Sequence, residues 1–239
     1  MTPQDLFKEI RTYCQANASE AIVKKYKRYF KEGYDAYGLT RELLENKVNE
    51  ITTLEGVDLD LVYKTSPLLL KTGKYEETSF AILLLNAFSK QFDKTTFIEI
   101  GKWFDIGINN WGHTDALCAY FFREFFKRKI IPLNDLSSWR KAVNKYQRRA
   151  VPVAMIEILR AKGDFDGLLE FIEPMMPDQE RVVHQGLGWF LREAWKRYPE
   201  PVETFLMKWK DSAPRLIFQY ATEKMSKDER VKFRREKSK

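Results

Sequence analysis

The sequence predicts an all-α protein, a curved superhelical solenoid of HEAT-like antiparallel helix pairs. Three observations carry that expectation. Apolar residues recur at helical spacing almost throughout the 239 residues, and strand-like alternation never exceeds four or five positions. Helix start and stop signals recur at short intervals. Trp111, Arg149 and Trp189 are separated by 38 and 40 residues, close to the period of about 40–47 of HEAT-like repeats.

In chain order, Thr2-Pro3 reads as a cap followed by a first-turn proline. Ser19-Glu20, Thr40-Arg41-Glu42 and Thr95 open further helices. Leu43, Leu44, Val48, Ile51 and Leu54 form the apolar stripe of the helix that follows Thr40. Leu117, Cys118, Phe121, Phe122 and Phe125 form a second stripe, and Val183, Leu187, Phe190, Leu191, Ala194 and Tyr198 a third. Gly56, Gly73, Gly163, Gly167 and Pro199 read as stops. The result is about a dozen helices of roughly 10–17 residues. No dominant heptad and no Gly/Ser linker is present, so stacked helix pairs fit better than a coiled coil. One domain over 1–226 is expected, followed by a basic, frayed tail over 227–239.

Composition narrows the function. A 44% hydrophobic chain with 14% aromatics is not a disordered one. Two cysteines, Cys14 and Cys118, give no disulfide framework. The longest apolar run, Ala116 to Phe122, is far too short for a bilayer, and the first residues show no secretory signal. A cytoplasmic protein is expected. The formal net charge is +7, of which Lys224 to Lys239 carry +5. Within the chain, Trp139 to Arg149 hold Arg140, Lys141, Lys145, Arg148 and Arg149 without an acid. Interleaved with Trp139 and Tyr146, they are the pattern expected of a phosphate-binding patch, or of a solvated helix face.

Several side chains stand out. Trp189 lies about 160° from the centre of its helix's apolar stripe, beside Gln185, Arg192, Glu193 and Lys196. It is either packed against the next layer or an exposed platform for a base or sugar. Trp111 and Asp115 share a helix face at i, i+4, with Asn109, Asn110 and His113 nearby. Asp115 is also explained by the helix dipole alone. Pro152 tolerates only a first turn, which places Arg148 and Arg149 near a helix N-terminus suited to an anion, or in surface ion pairs. Two histidines and single cysteines give no zinc spacing, so no metal or other cofactor is expected. Phosphate-loop, dinucleotide and Gly-x-Ser-x-Gly patterns are absent.

Three segments bring these residues together: Asn110-Trp111-Gly112-His113-Thr114-Asp115, Gln147-Arg148-Arg149-Ala150, and Gly188-Trp189-Phe190-Leu191-Arg192-Glu193. In order, separation and helical context the chain resembles the AlkD-like DNA alkylation repair proteins, over about residues 2 to 225. Tyr26 matches an early aromatic of that family, and Gly112 stands where relatives can have a second aromatic. The resemblance implies a DNA glycosylase that removes N3- or N7-alkylated purines from double-stranded DNA. Nothing in the sequence points to an oligomer, so a monomer is the default expectation. The resemblance implies that Trp111 and Trp189 line the lesion nucleotide and that Asp115 sits beside the anomeric carbon. It places Arg149 or Arg148 on the backbone, with Tyr26, Lys145, Arg140 and Arg192 among the DNA contacts. It also implies that the base is not enclosed in a pocket. The alternatives are a non-catalytic protein that binds branched or damaged DNA and a helical adaptor for an acidic protein partner.

Overall fold

A computed structural model describes residues 1–161 and 165–235 of the chain. Among them every regular element is helical, as expected. The chain packs into two compact units, Met1–Glu124 and Phe125–Lys239, where the sequence suggests a single domain over 1–226.

The first unit holds α1 (Pro3–Ala16), α2 (Glu20–Lys27), α3 (Arg41–Thr52), α4 (Leu59–Leu70), α5 (Tyr75–Ala87), α6 (Lys94–Ile106) and α7 (Trp111–Leu117). A wide π turn, Cys118–Phe122, joins α7 to α8 (Arg123–Lys127). Helix starts follow local capping. Thr2 and Asp5 form a reciprocal capping box ahead of Pro3, and Thr40 accepts from the Leu43 N–H. At α6 the cap is Asp93, two residues before the expected Thr95, and Thr96 closes its box. Helix α5 packs against α3, α4 and α7 and is the centre of this unit. Its first turn carries two buried carboxylates, Glu76 and Glu77, where the free N–H groups favour negative charge.

Those carboxylates fix the long connection between α2 and α3. Glu76 accepts the backbone N–H groups of Tyr37 (2.8 Å), Gly38 (2.8 Å) and Leu39 (3.1 Å). Glu77 accepts from the Tyr37 hydroxyl (2.8 Å) and from Arg11 (2.9 and 3.2 Å). Gly38, at φ +87°, lies so close to the Ser19 carbonyl that an added Cβ would stand 2.2 Å from it. The connection is thereby a fixed wall rather than a loose loop.

The second unit holds α9 (Lys145–Arg160), α10 (Leu168–Ile172), α11 (Arg181–Trp195), α12 (Pro199–Trp209), α13 (Arg215–Ala221) and α14 (Lys227–Val231). Helix α11 is its centre and packs on both α9 and α13. Two glycines permit this. A Cβ on Gly186 would meet Arg149 and Pro152 of α9 at 3.3 Å, and one on Gly188 would meet Tyr220 of α13 at 2.5 Å. The expected stripe is buried from Val183 to Ala194, and its last member, Tyr198, is half-buried beyond the helix end.

Four local expectations change. Pro152 sits in the interior of α9, because the helix starts at Lys145 behind the Asn144 cap. Arg148 and Arg149 are the fourth and fifth residues of the helix, near its N-terminus as expected, with Pro152 further in. Gly167 and Pro199 begin helices instead of ending them, the first from a left-handed cap at φ +77°. The stop at Gly163 lies outside the described residues. Residues 227–235 are anchored rather than frayed: Ser226 caps α14, Phe233 is buried, and Arg215 donates to its carbonyl at 2.9 Å.

Candidate functional site

The first unit opens into a pocket of about 590 Å³ walled by α2, α3, α5, α7 and the α2–α3 connection. Aromatic rings dominate its wall. Trp111, first residue of α7, stacks on Phe30 at 5.4 Å and 15°, and Phe30 stacks on Tyr34 at 4.7 Å and 13°. Tyr75 meets Phe30 edgewise at 5.3 Å and Tyr34 at a tilt at 5.1 Å, and lies over the His113 ring at 4.2 Å. Tyr26, Tyr29 and Tyr120 complete the aromatic lining. Trp111 is held by its indole N–H, which donates to the Tyr29 carbonyl at 3.2 Å, yet the residue stays 39% exposed. The column Tyr34–Phe30–Trp111 therefore ends on an accessible indole.

Asn110 sets the start of α7. Its side-chain oxygen accepts the His113 N–H at 2.9 Å, and its amide nitrogen donates to His113 Nδ1 at 2.7 Å. His113 Nε2 then donates to the Tyr75 carbonyl (3.0 Å) and lies 3.1 Å from Ser79 Oγ. Complete burial pushes the imidazole down to about 3, so it is neutral at ordinary pH and serves as a structural bridge. Burial likewise pushes the Tyr75 phenol up to about 12 and raises the Tyr34 phenol. Among the described residues, the pocket wall holds no carboxylate. Asp115 is half-buried one turn beyond Trp111, next to the lining rather than in it. Of the expected site residues in this unit, Tyr26 and Trp111 thus share one wall, and Asp115 is on the adjoining turn.

Most of the pocket and one exposed basic segment lie outside the expected site residues. Lys24, Lys25, Lys27, Arg28 and Lys31 are all exposed, with no acid among them. Lys25 lies over the Tyr26 ring at 5.5 Å and Arg28 over the Tyr29 ring at 4.8 Å. The signal was available: residues 24–31 hold five cations and three aromatics.

The second unit uses its expected contacts differently. Arg149 is 5% exposed and donates to the Val182 carbonyl at 2.7 Å, which ties α9 to α11. Arg148 pairs with Asp178 at 2.7 Å and donates to the carbonyls of Ala142 and Val143. Arg140 donates to the Phe171 carbonyl at 2.8 Å and covers that ring at 4.3 Å. Lys145 is 3.8 Å from Glu180, and Arg192 pairs with Glu193 and Glu223. Trp139 and Tyr146, expected as exposed partners of a basic patch, are buried. Trp189 is half-buried. Its neighbours on the same face, Gln185 and Arg192, reach Tyr220 and Glu223 at α13.

With this geometry in place, comparison with known proteins settles the lineage. A family model described as "DNA alkylation repair enzyme" matches residues 10–225. The chain belongs to the DNA alkylation repair enzyme family. Solved structures agree in fold. A predicted DNA alkylation repair enzyme from Enterococcus faecalis is 18% identical with a TM-score of 0.72, covering 88% of this chain and 98% of that one. AlkD2 from Streptococcus mutans is 20% identical with a TM-score of 0.58, covering 87% and 99%. The protein smu.31 from Streptococcus mutans UA159 is 21% identical with a TM-score of 0.58, covering 77% and 92%. No curated protein sequence matches the chain. Among the described residues, no cluster of His, Cys, Asp or Glu could hold a metal ion, and no helix is long and apolar enough to cross a membrane.

Proposed function

We propose that this DNA alkylation repair family member is a monofunctional DNA glycosylase acting on cationic N3- and N7-alkylpurines in duplex DNA. The observation that carries the reading is the first turn of α7: an accessible, stacked indole at Trp111 with the Asp115 carboxylate one turn on.

The chemistry matches those groups. An N3- or N7-alkylpurine already bears a positive charge and leaves as a neutral base, so no general acid is needed. A neutral His113 and protonated Tyr75 are no handicap. As the C1′–N bond breaks, its electron pair leaves with the base and positive charge builds on the sugar. Asp115 stabilises that charge and orients the attacking water, and the indole of Trp111 adds cation–π attraction. Water adds to C1′, and its proton passes to Asp115 and on to solvent, leaving an abasic site.

The duplex itself is held through phosphates. The exposed cations of residues 24–31 are the best placed for that role, since Arg140, Arg148 and Arg149 are bonded inside the protein. The test is release of free methylated purine, with matching abasic sites, from methylated duplex DNA. Release supports the glycosylase. Tight binding without release would instead make the chain a non-catalytic DNA binder.

A further inference from the structure

We infer that a pocket between α13 and the residues after α14 is a phosphate-binding site built from Arg215, Arg230 and Arg234. The ligand is a phosphate group, carried either by a DNA backbone or by a small phosphorylated molecule. The inference does not rest on the glycosylase reading, and none of these residues belongs to the site described above.

Three observations point to this ligand. First, positive charge converges there. The three arginines line one pocket of about 390 Å³ together with Gln219 and Thr222, and among the described residues its wall holds no carboxylate. That volume admits a phosphate and the group it is attached to. Arg235 is close enough to Arg215 for their like charges to repel. Burial and that repulsion hold the Arg215 guanidinium below its ordinary value. Second, the arginines are oriented but not neutralised. Arg215 donates to the Phe233 carbonyl at 2.9 Å and lies over the Phe218 ring at 4.7 Å. Arg230 donates to the carbonyls of Met225 (2.9 Å) and Glu223 (2.6 Å), and Arg235 to that of Ala213 (2.8 Å). A carbonyl fixes a guanidinium without cancelling its charge. The nearby acids are engaged with other cations: Glu223 with Arg192 and Lys224, Asp211 with Lys210, and Glu203 with Lys232. Like charges gathered without a counter-charge repel one another, and a bound anion relieves that repulsion. Third, donors remain. Arg215 is bonded only through Nη1, Arg230 leaves its Nη1 unused, and exposed Arg234 makes no side-chain bond among the described residues. Guanidinium forks arriving from different residues match the several oxygens of a phosphate, whereas a planar carboxylate is satisfied by one fork.

The experiment is calorimetric titration of the full chain with inorganic phosphate, against chloride at matched ionic strength. Wild type is compared with Arg234→Glu and with Lys227→Glu, an equal charge change at an exposed residue outside the pocket. Arg234→Glu should weaken phosphate binding about tenfold or more, and Lys227→Glu by about twofold or less. Arg234→Gln, a milder change, should move in the same direction and serves if the charge reversal lowers the melting temperature. No saturable phosphate binding by the wild type, or equal weakening by changes at 234 and 227, would overturn the inference. A salt series with undamaged duplex then separates the two sources. A salt slope reduced by Arg234→Glu and not by Lys227→Glu assigns the site to a backbone phosphate. An unchanged slope beside lost phosphate binding assigns it to a small phosphorylated molecule. The glycosylase reading fails separately, because release of methylpurine by the wild type bears on that reading alone.

Discussion

His113 shows how a residue that looks like chemistry becomes structure. Beside a candidate carboxylate it invites a role in proton transfer, yet burial pushes it down to about 3 and its ring atoms are taken by Asn110, Tyr75 and Ser79. The consequence is a pH dependence of stability. The unfolded chain takes up a proton near 6.5, while the folded one does so only near 3. Between those values the unfolded state binds more protons, so stability falls as pH falls, by about 1.4 kcal/mol per pH unit from this group. Denaturant melts over that window should show the loss, and His113→Asn should flatten it. Arg149 makes the same point. Only a folded structure reveals that its guanidinium donates to the Val182 carbonyl instead of facing solvent. Arg149→Ala removes a buried guanidinium and its bond between α9 and α11 and should cost about 1–3 kcal/mol of stability. Thermal unfolding measures this, and an unchanged midpoint would contradict it.

At the scale of elements, most helices were legible because their ends are written in short-range chemistry. Thr2, Ser19 and Thr40 stand at the caps where the sequence puts them, and the apolar stripes from Leu117 and Val183 are the buried faces. Gly167 and Pro199 were misread because either residue can stand on either side of a helix end. Pro152 was misread because tertiary packing of α9 against α11 holds a proline inside the helix. The pocket was the least legible feature. Phe30, Tyr34 and Tyr75 are dispersed in sequence, and tertiary hydrogen bonds, those of Glu76 and Glu77 together with the Tyr75 N–H to the Asp35 carbonyl, draw the α2–α3 connection over α5. The glycines of α11 offer a direct test of packing. Gly188→Ala places a Cβ against Tyr220 and the Ile217 carbonyl and should destabilise by about 1–3 kcal/mol. Gly186→Ala meets only modest crowding at 3.3 Å and should cost less. Melting midpoints in the opposite order would contradict this account of the α9–α11–α13 layers.

At the scale of the whole molecule, the net charge of +7 is less telling than its distribution. Arginines at 140, 148, 149 and 192 are engaged within the protein, and the cations of residues 24–31 are exposed, Lys25 and Arg28 against the rings of Tyr26 and Tyr29. Replacing Lys24, Lys27 and Arg28 by Ala should weaken binding to undamaged duplex and reduce the salt slope by about 0.9 for each phosphate contact removed. Arg148→Ala should leave that slope unchanged. Binding titrations across a salt series distinguish the two, and an unaltered slope in the triple variant would remove α2 from the interface. The central claim is that Asp115 stabilises positive charge on the sugar as the base departs. Its most direct test is the single-turnover rate of methylpurine release from methylated duplex, wild type beside Asp115→Asn, with duplex affinity measured in parallel. The rate should be at least about tenfold lower in the variant, about 1.4 kcal/mol of lost transition-state stabilisation, at unchanged affinity. Equal rates in the two proteins would contradict it.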